Sequence, residues 1–472
     1  MLYCAATQHS RKSYTPVSAP FKVLLACLAV SAPAHATTHC APAAAAPSAA
    51  LAAQVKGEFL HAWNGYRAYA WGHDALRPLS RTGKDWYGAS LLMTPVDALD
   101  TLLLMGLTQE AQEARELIVT RLSFDQDLEV KHFEIVIRLL GGLLSAYQMS
   151  GDARLLKLAD DLGTRLLPAF ASPTGLPYVY VNLRTGKTRG TISNPAEAAL
   201  ILEYGTLSKL TGKSAYLEAA QRSLRAVYAR RSSLDLVGER FDVESGAWTN
   251  TRSHIGARID SYYEYLWKCW RLFADSGCRS MWQTSSAAAL RYYPQRVRGT
   301  LWYGQVDMNT GARVGSEYGA LDAFFPGLLA YSGHLEAARR LQAASVQMWD
   351  LTGIEPETYD FRARRITDAA YPLRPEIIES TWYLYRQTGE QQYRVLGARL
   401  FRDFVRYCRT PAGYAALTDV RTKAQRDDME SFVLAETFKY FYLLFAAPAT
   451  LDPQAVVLNT EGHPLRATWR QP

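Results

Sequence analysis

Cysteine is scarce in this chain of 472 residues: there are six, and none falls in a CxxC pair. That argues against a cysteine-type zinc site or a dithiol redox centre. Other signatures are missing too. The sequence has no HExxH, no EF-hand loop, no GxSxG elbow, no P-loop and no GxGxxG after a strand, so serine hydrolases and nucleotide enzymes recede. There is no Lys/Arg block, and the formal charge of +7 is spread along the chain, which gives little support to nucleic-acid binding. Beyond the N-terminal segment, no stretch approaches the roughly 20 uninterrupted apolar residues of a membrane span.

What is present describes a globular protein with a large core: 48% apolar, 12% aromatic and 21% charged residues. Disorder and collagen-like repeats are excluded. Residues 1–36 read as an export signal, with Arg11, Lys12 and Lys22 before the apolar run Val23 to Val30 and a cleavage site after Ala34-His35-Ala36. A lipoprotein anchored at Cys27 is the weaker alternative, because the apolar run before that cysteine is shorter than the usual stretch of about 7 to 15 residues. Cleavage lowers the net charge to +4 and removes Cys4 and Cys27, leaving Cys40, Cys269, Cys278 and Cys408. In an oxidising compartment Cys269 and Cys278 could pair across a small loop. The chain is expected to be periplasmic or secreted, and monomeric.

Residues 37–52 form an Ala/Pro-rich linker with little expected structure. From residue 53 to 466 the apolar periodicity is mostly helical, and residues 467–472 form a tail. Thr94-Pro95-Val96-Asp97 and Asn194-Pro195-Ala196-Glu197 read as helix starts, and Gly151, Gly212 and Gly389 as stops, each followed by another helical pattern. Repeated helix hairpins suit either an open solenoid or a closed ring. Residues 174–191 and 300–314 look like β-hairpins set on one face of that array.

Acids decide between the two architectures. The apolar segments 133–147, 257–268, 373–386, 429–445 and 459–464 each carry acidic residues. A carboxylate among packed apolar side chains costs several kcal/mol unless compensated, so their recurrence points to convergence on one polar centre. The prediction is an all-α fold, a single closed α/α barrel whose inner helices line one cavity.

Each acid also has a plainer explanation. Glu134 and Arg138, four apart, can form a structural ion pair, and a guanidinium beside a carboxyl works against proton donation. Asp260 could cap a helix. Pro375 suits a first helical position, which makes Glu376 a first-turn acid, yet Glu379 on the same face beside Arg374 exceeds what capping needs. Phe432 and Glu436 pair an aromatic platform with an acid, as a sugar's apolar face and hydroxyls require, although core packing explains Phe432 equally well. Thr460-Glu461, taken alone, reads as a surface turn. Together these acids match the need of glycoside hydrolysis for one carboxylic acid and one carboxylate, in oxygen-rich surroundings that would suit Ca2+.

The strings WNGYRAYAWGHDALRPLSR, VDALDTLLLMGL, FEIVIRLLGGLLSAY, DSYYEYLWK, YPLRPEIIESTWYLYR, MESFVLAETFKYFYLLF and NTEGHP occur in the order found in class I α-1,2-mannosidases, glycoside hydrolase family 47. The chain resembles that family over residues 55–464, and LDAFFPG with the Gly462 of TEGH is closer to the ER degradation-enhancing branch. An export signal on a compact chain suggests a bacterial member. The resemblance implies an (α/α)7 barrel, a Ca2+ ion at its base and inverting hydrolysis of terminal α-1,2-linked mannose from an oligosaccharide or glycoprotein glycan. It implies Glu134 as general acid acting through water, Glu376 as base with Asp260 the alternative, and Thr460 as the direct metal ligand. Glu379, Glu436 and Glu461 would hold the metal's waters and the sugar, and Arg138, Glu357, Arg374 and Phe432 would contact the terminal mannose. The family's His and Cys before the FxPG turn are missing at 320–326, which removes the family's disulfide and puts substrate contacts at Ala320 in question. The alternative is a mannose-glycan-binding protein of the same fold with little turnover, and a third reading is a helical scaffold whose interior acids are ion pairs.

Overall fold

A computed structural model describes residues 48–467. The expected signal, most of the expected linker and the last five residues lie outside them. Fifteen α-helices occur among the described residues: α1 (Ser48–Tyr69), α2 (Met93–Leu104), α3 (Thr108–Arg121), α4 (His132–Ile135), α5 (Gly141–Ser150), α6 (Ala153–Leu166), α7 (Ile201–Thr211), α8 (Ser214–Ala229), α9 (Asp260–Phe273), α10 (Ser276–Tyr292), α11 (Phe325–Tyr331), α12 (Leu335–Asp350), α13 (Glu376–Thr388), α14 (Gln391–Cys408) and α15 (Phe438–Phe445).

They pair as seven hairpins: α2 with α3, α5 with α6, α7 with α8, α9 with α10, α11 with α12, α13 with α14, and α15 with α1. The last pair joins the end of the helical run to its start, and α2 packs on the helical turn just before α15, so the ring closes. The (α/α)7 barrel read from the sequence is the fold. Its inner helices, α2, α5, α7, α9, α11, α13 and α15, are buried along most of their length, whereas outer helices such as α6 and α8 bury one stripe. No described helix is long and apolar enough to cross a membrane.

Inner-to-outer links are short. Gly151, Gly212 and Gly389 end α5, α7 and α13 in the left-handed conformation, as their positions predict. Outer-to-inner links are longer and carry short strands on the opposite face. Both expected hairpins are among these: Tyr180–Asn182 pairs with Thr188–Arg189, and Gln305–Asp307 with Arg313–Gly315. Since every inner helix starts on the strand-bearing face, their N-termini converge there, and their dipoles favour anionic groups at that end of the ring.

Several local expectations need correction. α1 begins at Ser48, inside the expected linker, because Leu51 and Ala52 already pack into the core. Thr94 is not a cap: α2 starts at Met93, and the Thr94 hydroxyl donates to Asp74 O at 2.7 Å. Asn194 accepts from Glu197 N at 3.0 Å, closing a turn rather than starting a helix, and α7 begins only at Ile201. Pro375 precedes the first residue of α13 instead of being it.

Cys269 of α9 and Cys278 of α10 form a disulfide, while Cys408 is free and buried. The bridge closes a loop with a sequence separation of 9. A loop this short removes about 2.5 kcal/mol of unfolded-state entropy. The double substitution Cys269→Ala, Cys278→Ala is therefore expected to lower stability in urea by about that amount; an unchanged transition midpoint would show that the bridge contributes nothing.

Candidate active site

Two of the acid-bearing segments do not run as plain α-helix. α4 passes through a π-helical turn, Val136–Leu140, into α5, and a second π-helical turn, Val433–Thr437, precedes α15. Such turns re-aim side chains and recur at functional sites. The first lies between Glu134 and α5 and contains Arg138; the second contains Glu436. Asp260 and Glu376 are the opening residues of α9 and α13, and neither helix start is capped by a side chain. Just upstream, Arg258 and Leu373 hold positive φ angles of 79° and 71°. For side chains of this size that conformation is strained, a feature that concentrates at binding and catalytic sites.

These elements surround a cavity of about 330 Å3, within the range of small-molecule sites. Glu134, Arg138, Asp260, Arg374, Glu376, Glu379, Phe432, Glu436, Thr460 and Glu461 all line it. Of the residues singled out from sequence, only Glu357 does not; it grips Arg374 from behind, with Oε2 3.0 Å from Nε. The convergence of acids inferred from the sequence is thus observed.

Glu134 accepts from Lys131 Nζ at 3.3 Å and from an Arg138 guanidinium nitrogen at 3.1 Å. Burial opposes its ionisation, but Arg138 and Lys131 outweigh burial and hold its carboxyl below the usual range. Arg138 also pairs with Glu461, and its guanidinium lies over the rings of Trp86 at 5.3 Å and Phe432 at 5.8 Å. Phe432 is therefore a wall of the cavity and a clamp on Arg138 as well as a member of the hydrophobic core.

The other carboxyls behave oppositely. Burial pushes Asp260 and Glu376 up to about 7 and Glu379 up to about 8, and it raises Glu436 well above the ordinary value, with Glu376 and Glu379 adding to the shift. Glu376 Oε2 is buried with no hydrogen-bond partner. Thr460, at the tip of the antiparallel hairpin Val456–Leu458 and Pro464–Arg466, has a hydroxyl and a carbonyl that make no protein hydrogen bond. An excess of buried carboxyls beside two free oxygens suits a hard divalent cation. A divalent metal ion suits this donor set, and Thr460, Glu376, Glu379, Glu436 and Glu461, which line the same cavity, are the residues that could hold it.

NTEGHP is not a surface turn. Asn459 and His463 are fully buried and Glu461 nearly so. Asn459 Nδ2 donates to Ile137 O at 2.9 Å and to Glu203 at 2.8 Å, and its Oδ1 accepts from the amides of Glu461 and His463. His463 contacts Asp100 at 2.7 Å and Asp97 at 3.3 Å. Lys439 Nζ donates to Gly462 O at 2.6 Å and lies 2.8 Å from Asp100. Tyr265 OH, which receives the Thr460 amide, completes ties to α2, the π-turn before α5, α7, α9 and α15. Gly141 has to be glycine here, since a Cβ would lie 2.6 Å from Asn459 Nδ2.

Sequence reasoning missed this support. Its signal was available as Asp97 and Asp100, two acids three apart on the apolar helix α2. Lys131, Glu197, Glu264 and Arg258 also line the cavity without having been singled out.

Comparisons with known proteins agree with this geometry. The model of glycosyl hydrolase family 47 matches residues 58–467. The chain is 39% identical over 441 residues to alpha-mannosidase I MNS4 of Arabidopsis thaliana, covering 88% of this chain and 69% of that one. It is 38% identical over 452 residues to the human endoplasmic reticulum mannosyl-oligosaccharide 1,2-alpha-mannosidase, covering 86% of this chain and 62% of the relative. A solved alpha-1,2-mannosidase from Trichoderma reesei superimposes with a TM-score of 0.83 at 27% identity, covering 89% of this chain and 99% of that structure. A family match across nearly all the described residues, on a barrel with a carboxylate-lined cavity, means that the chain belongs to glycosyl hydrolase family 47.

Proposed function

We propose that this protein is a Ca2+-dependent, inverting α-1,2-mannosidase that removes terminal mannose from mannose-containing glycans. The observation that carries this reading is the meeting of Glu134 of α4, Asp260 of α9 and Glu376 of α13 in one cavity that Thr460 and further buried acids also line. Membership of family 47 supports both the substrate class and the reaction.

The terminal mannose enters with Phe432 against its apolar face and carboxylates around its hydroxyls. Ca2+, when bound, would accept the oxygens of hydroxyls of that sugar as ligands and would offset the charge of the buried acids. Glu376, whose proton affinity burial has raised, takes the proton of the attacking water. The C1–O bond to the leaving sugar breaks as its oxygen is protonated, the proton arriving from Glu134 through water.

Asp260 as the proton donor is a second reading with one observation in its favour: its carboxyl sits at about 7, whereas Glu134 is held in the ionised form. The pH profiles of Glu134→Gln and Asp260→Asn separate the two, because the donor's substitution removes the alkaline limb of kcat/KM.

With Man-α-1,2-Man as substrate, NMR is expected to show β-mannose as the first product. α-Mannose would overturn inversion, and calorimetric binding without release of mannose would favour a glycan-binding protein instead. We further propose export through residues 1–36 and action as a monomer; the Cys269–Cys278 bridge supports an oxidising compartment.

A further inference from the structure

Several arginines on the strand-bearing face of the ring have an acid beside them. Arg184 lies 3.3 Å from Asp125, Arg189 2.5 Å from Glu129, and Arg421 2.5 Å from Asp419. Six others on that face are exposed and form no ion pair among the described residues: Arg296, Arg298, Arg313, Arg362, Arg364 and Arg365. Their hydrogen bonds go to neutral oxygens. Arg296 donates to Gly299 O at 3.1 Å, Arg313 to Tyr293 O at 3.0 Å and Pro294 O at 2.7 Å, and Arg362 to the Gln295 side-chain oxygen at 3.1 Å. Arg298, Arg364 and Arg365 make no side-chain hydrogen bond among the described residues.

Three hairpins bring these residues onto one surface. Pro294–Val297 pairs with Thr300–Tyr303 across the turn of Arg298 and Gly299, and Thr358–Asp360 pairs with Arg365–Asp368 across a turn that contains Arg362 and Arg364. Arg313 opens the strand Arg313–Gly315. Trp302 of the first hairpin stacks on Phe361 at the turn of the second, with ring centres 5.3 Å apart and planes inclined by 7°, and the Arg313 bond to Pro294 ties in the third. Arg298 and Arg364 hold positive φ angles of 49° and 54°. Glycine or asparagine would adopt that conformation with less strain, so arginine at these two tips carries a backbone cost.

The charge is not cancelled nearby. Burial and, after it, the neighbouring Arg362 hold the Arg313 guanidinium below its ordinary value, though it stays protonated at neutral pH. Asp307, Asp360 and Asp368 stand on the same strands, where they accept turn amides at 3.0 Å. Six arginines against three aspartates leave a surplus of three positive charges. An unpaired guanidinium takes phosphate oxygens in a fork. Because these forks are spread over hairpin turns and not gathered around one pocket, they suit a broad anionic surface better than a single small anion. Val314, next to Arg313 and 51% exposed, offers an apolar side chain to the boundary between headgroups and acyl chains.

We infer that these three hairpins dock the protein on an anionic lipid surface, with the guanidinium groups on headgroup phosphates and Val314 between them. The inference does not depend on the α-mannosidase reading. Asp260 and Glu376 open α9 and α13 at the same end of the ring, so docking in this way directs the cavity toward glycans borne by that surface.

Sedimentation with vesicles tests it, with EDTA present so that no metal bridges protein and lipid. The protein is expected to bind vesicles of equal parts phosphatidylglycerol and phosphatidylcholine at low salt, to leave them at high salt, and to ignore pure phosphatidylcholine. The triple variant Arg298→Asn, Arg364→Asn, Arg365→Gln removes the surplus and keeps residues suited to the turns. It should bind about 100-fold more weakly, the equivalent of about 2.8 kcal/mol, with unchanged circular dichroism and hydrolysis of Man-α-1,2-Man within twofold of the parent. A control, Arg184→Gln, Arg189→Gln, Arg421→Gln, lowers the net charge equally at paired positions and should bind nearly as the parent does. Absence of binding to the anionic vesicles, equal binding to both lipids, or an equal loss in the control would overturn the inference. Retention on immobilised heparin without any vesicle binding would overturn it too, and would give the surface to a soluble anionic polysaccharide.

Discussion

With Glu376 as the proposed base, Glu376→Gln is expected to lower kcat by a factor of about 10² to 10⁴, the usual contribution of a positioned base, while the barrel remains folded. Glutamine preserves the volume of the side chain at the start of α13 but cannot take a proton from water. Its effect on stability has the opposite sign to its effect on turnover. A carboxyl whose folded-state pKa is raised, here to about 7 by burial, destabilises the fold as pH rises past its unfolded value near 4.5 and the unfolded chain gives up the proton first. In the metal-free protein the neutral amide escapes that cost, so with EDTA present the variant should melt at the same temperature as the parent or higher at pH 8. A loss of turnover below tenfold, with intact circular dichroism, would take Glu376 out of the mechanism.

Chelation is expected to have the other large effect. Glu376, Glu379 and Glu436 are each pushed upward by burial in a cavity that also contains Glu461. A cation bound among them favours their ionised forms and stabilises the native state by about 2.7 kcal/mol at a concentration 100 times its dissociation constant. EDTA should therefore abolish mannose release and lower Tm by a few degrees, and Ca2+ should restore both. Scanning calorimetry reads the second effect without any substrate. If Tm is the same with EDTA and with Ca2+, the acids do not hold a metal.

Much of this site was legible in the sequence, and the exceptions have physical causes. The stops at Gly151, Gly212 and Gly389 were readable because a left-handed residue after a helix selects glycine. Acids in apolar segments were readable because burying charge is expensive wherever it occurs. The two π-helical turns were not, since one extra residue in a helical turn leaves the apolar pattern almost unchanged, yet they aim Arg138 and Glu436. Asn194-Pro195 was misread because a side chain that accepts an amide three residues on looks the same whether or not a helix follows. NTEGHP was misread for a different reason. Six polar, aperiodic residues imply exposure only if water is their sole partner, and here partners come from Asp97, Asp100, Ile137, Glu203 and Lys439, far away in the chain.

The placement of that hairpin has a consequence for traffic. Its turn is tied to four of the seven inner helices and to the π-helical turn that leads into a fifth, and its Thr460 and Glu461 line the cavity, so the ring is a cup rather than a tube. A polymer cannot thread through a cup. Only a chain terminus can reach the bottom, one residue is cut per visit, and the freed monosaccharide has to back out through the opening by which the glycan came in, so the shortened glycan must withdraw before the next cut.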